Sequence, residues 1–379
     1  VHGRLTSDLA VRHGLDRKLE VLPDKKGFAA LEAAGTGLTS PELATLLAHT
    51  KLDLTTQVLA TDLPDTVTFA ARLPEYFPHP LRSRFPAAIT GHPLRREIVT
   101  TQLVNEMVDG AGITYAFRLG EELSADAADA VRAYAVTTTV FDLPELWEAV
   151  RAPEIPTAVS DQIVLETRRL LDRVSRWFLT NRPQPLAVAA ETARFADTVR
   201  ELRAELPRLL RGRELNAVEK RSAELRSTGV PRDYALRAGA LMYGYGLLDV
   251  VELTELAERD REPREPHEVA ALYFGLSEHL GIDVALTSVT ALERGDRWHA
   301  LARLALRDDL YASLRAITLD GLREAAPGTP VDAAIAQWEK ANASRLVRAR
   351  AALHEVGTAG QLDLATLSVI SRQLRGLAR

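Results

Sequence analysis

His92-Pro93-Leu94-Arg95-Arg96-Glu97-Ile98-Val99-Thr100-Thr101-Gln102-Leu103-Val104-Asn105-Glu106-Met107-Val108-Asp109-Gly110-Ala111-Gly112-Ile113-Thr114 is the stretch whose reading decides the fold. Pro93 suits the first turn of a helix, where its missing N–H costs nothing. Leu94, Ile98, Leu103, Met107 and Val108 recur at helical spacing, and Gly110 and Gly112 supply the stop. Thr101, Asn105 and Asp109 form a polar stripe at spacing four. A mid-helix Asn is mildly unfavourable, and a buried one is tolerated when it finds a partner. Asn105 is therefore expected to hydrogen-bond a neighbouring segment of the 37–150 region.

Working outward, the pattern stays helical. Upstream, Thr39-Ser40-Pro41-Glu42 opens a helix with a capping hydroxyl and an early proline, and Leu43, Leu46, Leu47 and Leu54 give it an apolar face. Pro64, Pro74, Pro78, Pro80, Pro86 and Pro93 then cut the chain into short pieces, 66–73 and 81–89, because proline lacks an N–H and restricts its predecessor. Tyr76, Phe77 and Phe85 are expected to pin these pieces to a core. Downstream, Ser124 is expected to cap a helix over 125–140, and 143–150 carries Trp147. Longer helices are predicted over 159–180, 186–206, 209–227, 232–258, 267–280, 282–294, 298–325, 331–355 and 362–377. Residues 1–36, with scattered leucines and the turn Pro23-Asp24-Lys25-Lys26-Gly27, read as a lead-in. The Pro153–Pro156 break suggests a boundary between 37–152, of short proline-bounded helices, and 158–379, of longer ones. No stretch alternates as a strand does. The expected fold class is all-α: an irregular multi-helix bundle in two subdomains, with no Rossmann unit.

Composition narrows the functional classes. The 379 residues are 46% hydrophobic and 26% charged, with net charge −5. That balance gives no global field to attract nucleic acid or an anionic membrane. No apolar run approaches the ~20 residues that span a bilayer. With no cysteine, thiol nucleophiles and cysteine-based metal sites are excluded. A cytoplasmic setting fits. The chain starts at Val1 without methionine, which reads as a piece of something longer. Six of the 47 basic residues are lysine (Lys18, Lys25, Lys26, Lys51, Lys220, Lys340). The arginine excess reads chiefly as codon usage of a GC-rich genome.

No chemistry assembles locally. Gly244-Tyr245-Gly246 is the nearest approach to a dinucleotide fingerprint, but Asp249 stands where a third small residue is needed and the preceding residues look helical. Two glycines where another helix packs closely is the plainer reading. Nine histidines form no HxxxH, HxH or HExxH set; His79 and His92, each beside a proline, read as caps or surface residues. Glu121-Glu122 and Asp308-Asp309 are adjacent, so they diverge on a helix, and Asp309 is expected to pair with Arg307 or Arg315. The basic run Arg345–Arg350 is interleaved with no helix–turn–helix spacing. Catalytic, cofactor-binding and metal-ligand residues are therefore all assigned as none.

A family resemblance adds what the residues alone do not. His92–Thr114 resembles part of the C-terminal portion of the very large NAD-dependent glutamate dehydrogenases of bacteria. Gly37-Leu38-Thr39-Ser40-Pro41-Glu42-Leu43-Ala44, Leu46–Lys51, Glu75-Tyr76-Phe77-Pro78, Phe141-Asp142-Leu143-Pro144, Arg176-Trp177-Phe178-Leu179 and Arg307-Asp308-Asp309-Leu310-Tyr311 are similar too, in the expected order over roughly 35–375. The resemblance implies a full-length enzyme that oxidatively deaminates L-glutamate to 2-oxoglutarate and ammonia, reducing NAD. It places the catalytic lysine, aspartate and dinucleotide-binding glycines N-terminal to this chain, which is then expected to be inactive alone and to hold no cofactor. Its expected roles are scaffold, homo-oligomer contact or regulation, with the catalytic region of the same polypeptide as partner and neither nucleic acid nor membrane. The competing readings are a freestanding helical interaction module and a helical enzyme with an unrecognised pocket.

Overall fold

Helix Ser40–Leu59 starts as its sequence dictates: the Thr39 N–H and hydroxyl both donate to Glu42 Oε2 at 2.7 Å, so the first turn closes on itself. The computed structural model describes residues 1–260, 262–292, 297–358 and 363–378. Among these residues the fold is all-α, with 21 α-helices, three short 3₁₀ turns and no strand. The chain divides into two compact units, Val1–Thr139 with Arg168–Arg194, and Val140–Thr167 with Phe195–Arg379.

In the first unit, helix Ser40–Leu59 packs on helix Arg95–Ala111. The second of these ends at Gly112, whose φ of +93° needs glycine. Val99, Leu103, Val104, Met107, Val108 and Ala111 are its buried apolar residues, whereas Leu94, expected on that face, is exposed. Four of the scattered leucines of the first 36 residues gather: Leu5, Leu9, Leu15 and Leu22 form a small core with Leu46, while Leu19 is exposed. The proline-cut stretch is finer than expected, with pieces Leu63–Asp65, Val67–Ala70, Leu73–Tyr76, His79–Arg84 and Pro86–Thr90. Its anchors also differ. Leu63, Phe69, Leu73 and Ile89 are buried, whereas Tyr76 and Phe85 are exposed. A one-turn piece can aim only one or two side chains inward, and the aliphatic residues and Phe69 take those places. Ser124 does not cap the helix after it. It ends helix Tyr115–Leu123 in the left-handed region (φ +58°). The cap of helix Ala127–Val140 is Asp126, whose Oδ1 accepts the Asp129 N–H at 2.8 Å.

In the second unit, helices Gly246–Arg259, Pro266–His279 and Arg297–Glu324 pack together. They bury Leu247, Leu248, Val250, Leu253, Val269, Leu272, Tyr273, Leu276, Leu310, Leu314 and Ile317. The expected helix over 232–258 is two, Arg232–Ala240 and Gly246–Arg259, joined by the turn Tyr243–Tyr245. The break lies where a side chain has no room: a Cβ on Gly246 would stand 2.9 Å from the Tyr273 ring, and one on Gly244 3.2 Å from Phe141. The expected helix over 331–355 likewise breaks at Asn342, which is buried and donates from Nδ2 to the Trp338 carbonyl at 3.0 Å. Conversely, helix Val188–Leu209 runs through Pro207 instead of stopping there.

Candidate functional site

The polar stripe on helix Arg95–Ala111 was the sequence's strongest individual feature. Its three members do not act together. The Thr101 hydroxyl donates back to the Glu97 carbonyl at 2.7 Å. Asp109 accepts from Lys51 Nζ at 2.9 Å. Asn105 is half-buried and, among the described residues, its side chain makes no hydrogen bond, so the expected bond to a neighbouring segment is not formed. A half-buried amide keeps access to water and needs no protein partner.

Arginines carry the organised polar chemistry instead. At five helix ends, guanidinium groups bind the final carbonyls. Arg96 Nη2 donates to Leu59 and Thr61 at 2.8 Å each. Arg168 donates to Asp109 and Gly110 at 3.1 Å each. Arg303 donates to Val289 at 3.1 Å and Thr290 at 3.0 Å. Arg264, buried, donates to Leu322 and Ala325. Arg203 and Arg237 both donate to the Phe141 carbonyl, and Arg237 also to that of Asp142. The last carbonyls of a helix lack intrahelical partners and carry partial negative charge, so a planar fork of donors satisfies both needs. The excess of arginine over lysine thus has a structural use that composition alone does not reveal.

Two of the motifs behind the family resemblance carry organised arginine contacts. In Phe141-Asp142-Leu143-Pro144, Asp142 adopts φ +47°, uncommon for a residue with a side chain. Its carboxylate accepts from Arg203 at 3.0 Å and Arg200 at 3.3 Å. In Arg176-Trp177-Phe178-Leu179, buried Arg176 pairs with Glu122 and Asp172, and Arg118 also reaches Asp172 at 2.8 Å. Nearby, the Tyr115 hydroxyl donates to Ser175 Oγ at 2.6 Å, and Ser175 lies 3.3 Å from Thr137 Oγ1. Burial holds the Tyr115 phenol well above its ordinary range, partly opposed by the Ser175 bond. It stays a neutral donor, fit to join helices and unfit as a base.

Asp309, expected beside Arg307 or Arg315, pairs with Arg375 at 2.5 Å. Arg315 reaches Glu252 at 2.9 Å. The histidine rings of His13 and His49 meet edge to face at 5.7 Å. His92 Nδ1 accepts the Leu94 N–H at 3.1 Å. His279 and His267 meet Glu339 and Glu205 at 2.9 and 3.1 Å. Among the described residues, no three His, Asp or Glu side chains converge as a metal site. Nor is any single helix there long and apolar enough to cross a membrane.

Two acids that no sequence motif signals, half-buried Glu214 and buried Asp283, lie in the second unit. Glu214 Oε2 and Asp283 Oδ1 are both shielded from solvent without a hydrogen-bond partner. Burial first, and the Asp283 charge second, push Glu214 up to about 8. Burial raises Asp283 as well. The neighbouring Tyr243 phenol is pushed up to about 12, by burial and then by these two acids. Neither acid falls in a recognisable motif, and only the fold makes them neighbours.

The polar groups described here join helices to one another and seal their ends, in a region that is all-α among the described residues. The family described as glutamate dehydrogenase, C-terminal, matches residues 35–376, and the chain belongs to it. The NAD-specific glutamate dehydrogenase of Mycobacterium tuberculosis is 50% identical over 379 residues, covering 100% of this chain. Those of Pseudomonas aeruginosa and Halomonas elongata are 33% and 31% identical over 99% of it. The chain spans 23% of the length of each of these relatives.

Proposed function

We propose that this chain is a non-catalytic scaffold region at the C-terminal end of a large NAD-dependent glutamate dehydrogenase. The full-length enzyme oxidatively deaminates L-glutamate to 2-oxoglutarate and ammonia, with NAD as hydride acceptor, in the cytoplasm. Chemistry and NAD binding belong to the preceding region of the polypeptide, and this region supports that one and subunit association.

The observation that carries the reading is coverage: essentially the whole chain aligns with less than a quarter of proteins named NAD-specific glutamate dehydrogenase. The arrangement of polar groups supports it. Gly244 and Gly246 sit against aromatic rings, not in a strand-to-helix phosphate cradle. The test compares glutamate-dependent NADH formation by the full-length protein and by residues 1–379 alone, with circular dichroism confirming that the fragment is helical. Activity in the full-length protein and none in the folded fragment is expected. Robust turnover by the fragment would overturn the assignment of chemistry to the preceding region.

A further inference from the structure

One surface of the first unit contradicts the economy of the rest. From Tyr76 to Arg96 the sequence contains no acid, four arginines (Arg82, Arg84, Arg95, Arg96), two histidines and four prolines. Arg96 is committed to Asp65 and the end of helix Ser40–Leu59, and Arg95 lies 3.8 Å from Asp65. Arg82 and Arg84 have no ion-pair partner among the described residues. Beside them four large apolar side chains face solvent: Tyr76 is 55% exposed, Leu81 43%, Phe85 51% and Leu94 54%. The pieces that carry them adjoin. Leu73–Tyr76 packs on Pro86–Thr90, which packs on His79–Arg84. Phe77 meets Tyr76 edge to face and His92 at a tilt, at ring separations of 5.7 and 5.9 Å. The Arg84 guanidinium lies over the Phe85 ring at 5.6 Å.

We propose that this basic, aromatic face is the docking surface for an acidic, apolar surface of the polypeptide region that precedes this chain in the full-length protein. The inference rests on the reading above and adds the place of contact. Three observations favour this occupant. The first is length: the chain amounts to 23% of its relatives, so most of the polypeptide lies outside it. The second is charge. Arg82 and Arg84 on an acid-free segment ask for carboxylates opposite, and a symmetric pairing of two copies would set this face against itself. The third is the segment's build. Helices of six and five residues are far below the ~12–15 that hold alone in water, and Ile89 is their one buried residue. Exposed Tyr, Phe and Arg are the residue types that anchor protein interfaces. A nucleic-acid surface would need a longer run of uncommitted cations than two arginines.

The experiment uses the full-length protein with Tyr76→p-benzoylphenylalanine or, separately, Phe85→p-benzoylphenylalanine. Val11, exposed on helix His2–Arg12, takes the same substitution as a control. After irradiation, cross-linked peptides are identified by mass spectrometry. Expected are cross-links from 76 and 85, above the level from 11, to acidic segments upstream of residue 1. Adding Arg82→Glu and Arg84→Glu should lower their yield roughly threefold or more. Cross-links to residues 1–379, to nucleic acid, or at the Val11 level would overturn the proposal. Glutamate-dependent NADH formation is measured on the same preparations. Its absence from the unsubstituted full-length protein would remove the functional reading. Intact activity with a wrong cross-link map would remove the docking surface alone.

Discussion

The helices Gly246–Arg259, Pro266–His279 and Arg297–Glu324 and the pieces between Leu63 and Thr90 solve the problem of burying apolar surface in opposite ways. The first set is long enough to bury a whole face, and Tyr273 at its centre is 1% exposed while its hydroxyl donates to Asp249 at 3.1 Å. The second set is cut by proline every few residues, keeps Leu63, Phe69, Leu73 and Ile89 inside and leaves Tyr76, Leu81 and Phe85 outside. Apolar composition is similar in the two. What differs is uninterrupted length, which decides how many residues one element can turn toward the same core. A region with short elements is shaped by what it must meet, one with long elements by its own packing.

The largest effect should fall on the long helices. Tyr273→Ala removes a fully buried ring and is expected to cost about 3–5 kcal/mol, read as a fall in denaturation midpoint of the isolated chain. A loss under about 1 kcal/mol would mean the core there is looser than its burial indicates. Arg264→Lys comes next. Nη2 binds both carbonyls while Nη1 holds Glu268 at 2.7 Å, a set that the single nitrogen of lysine cannot keep whole, and a loss of about 1–3 kcal/mol is expected.

Glu214→Gln should stabilise, and the sign depends on pH. The Glu214 carboxyl is pushed up from 4.5 to about 8 in the folded chain, so the fold favours its protonated form. Its contribution is whole below about 4.5 and is lost as pH rises toward 8. The variant, which cannot ionise, is expected to gain about 1–3 kcal/mol over the parent at pH 8, with the gap closing by pH 4.5. A gap that does not change with pH would show that the pair does not titrate in this range. At the smallest end, Asn105→Ala and Phe85→Ala should each move the stability of the isolated chain by no more than about 0.5 kcal/mol. A larger loss for Phe85→Ala would place that ring inside a core and erase the contrast between the two regions.

Much of this was legible in the sequence. The helical spacing of Leu103, Met107 and Val108 gives helix Arg95–Ala111, although Leu94, read as part of the same face, is exposed; Thr39 with Glu42 gives the start of Ser40–Leu59, because both depend on residues a few positions apart. The interruptions at Gly244 and Asn342 were not legible, since each depends on a side chain far along the chain or on burial. The same holds for Asp126, which takes the capping role expected of Ser124. Family membership was readable from motifs such as Phe141-Asp142-Leu143-Pro144, yet why that motif matters was not: Arg200, Arg203 and Arg237, which hold it, lie 58 to 96 residues away. The Glu214–Asp283 pair left no pattern at all. Tyr76 and Phe85 were misplaced because apolar character says that a residue seeks cover, without saying that its own chain provides it.

The guanidinium forks have one consequence that ion pairs do not share. An amide carbonyl takes up no proton in the range where carboxylates do, and a guanidinium never gives its proton up. Acid strong enough to neutralise carboxylates therefore dissolves ion pairs between elements and leaves the closures on the Leu59, Gly110, Thr290 and Leu322 carbonyls chemically unchanged. The helices are insulated from acidity at their ends, while the contacts that arrange them are not. In an acid titration, the loss of fixed tertiary environment around Trp147 and Trp177 should run ahead of the loss of helix.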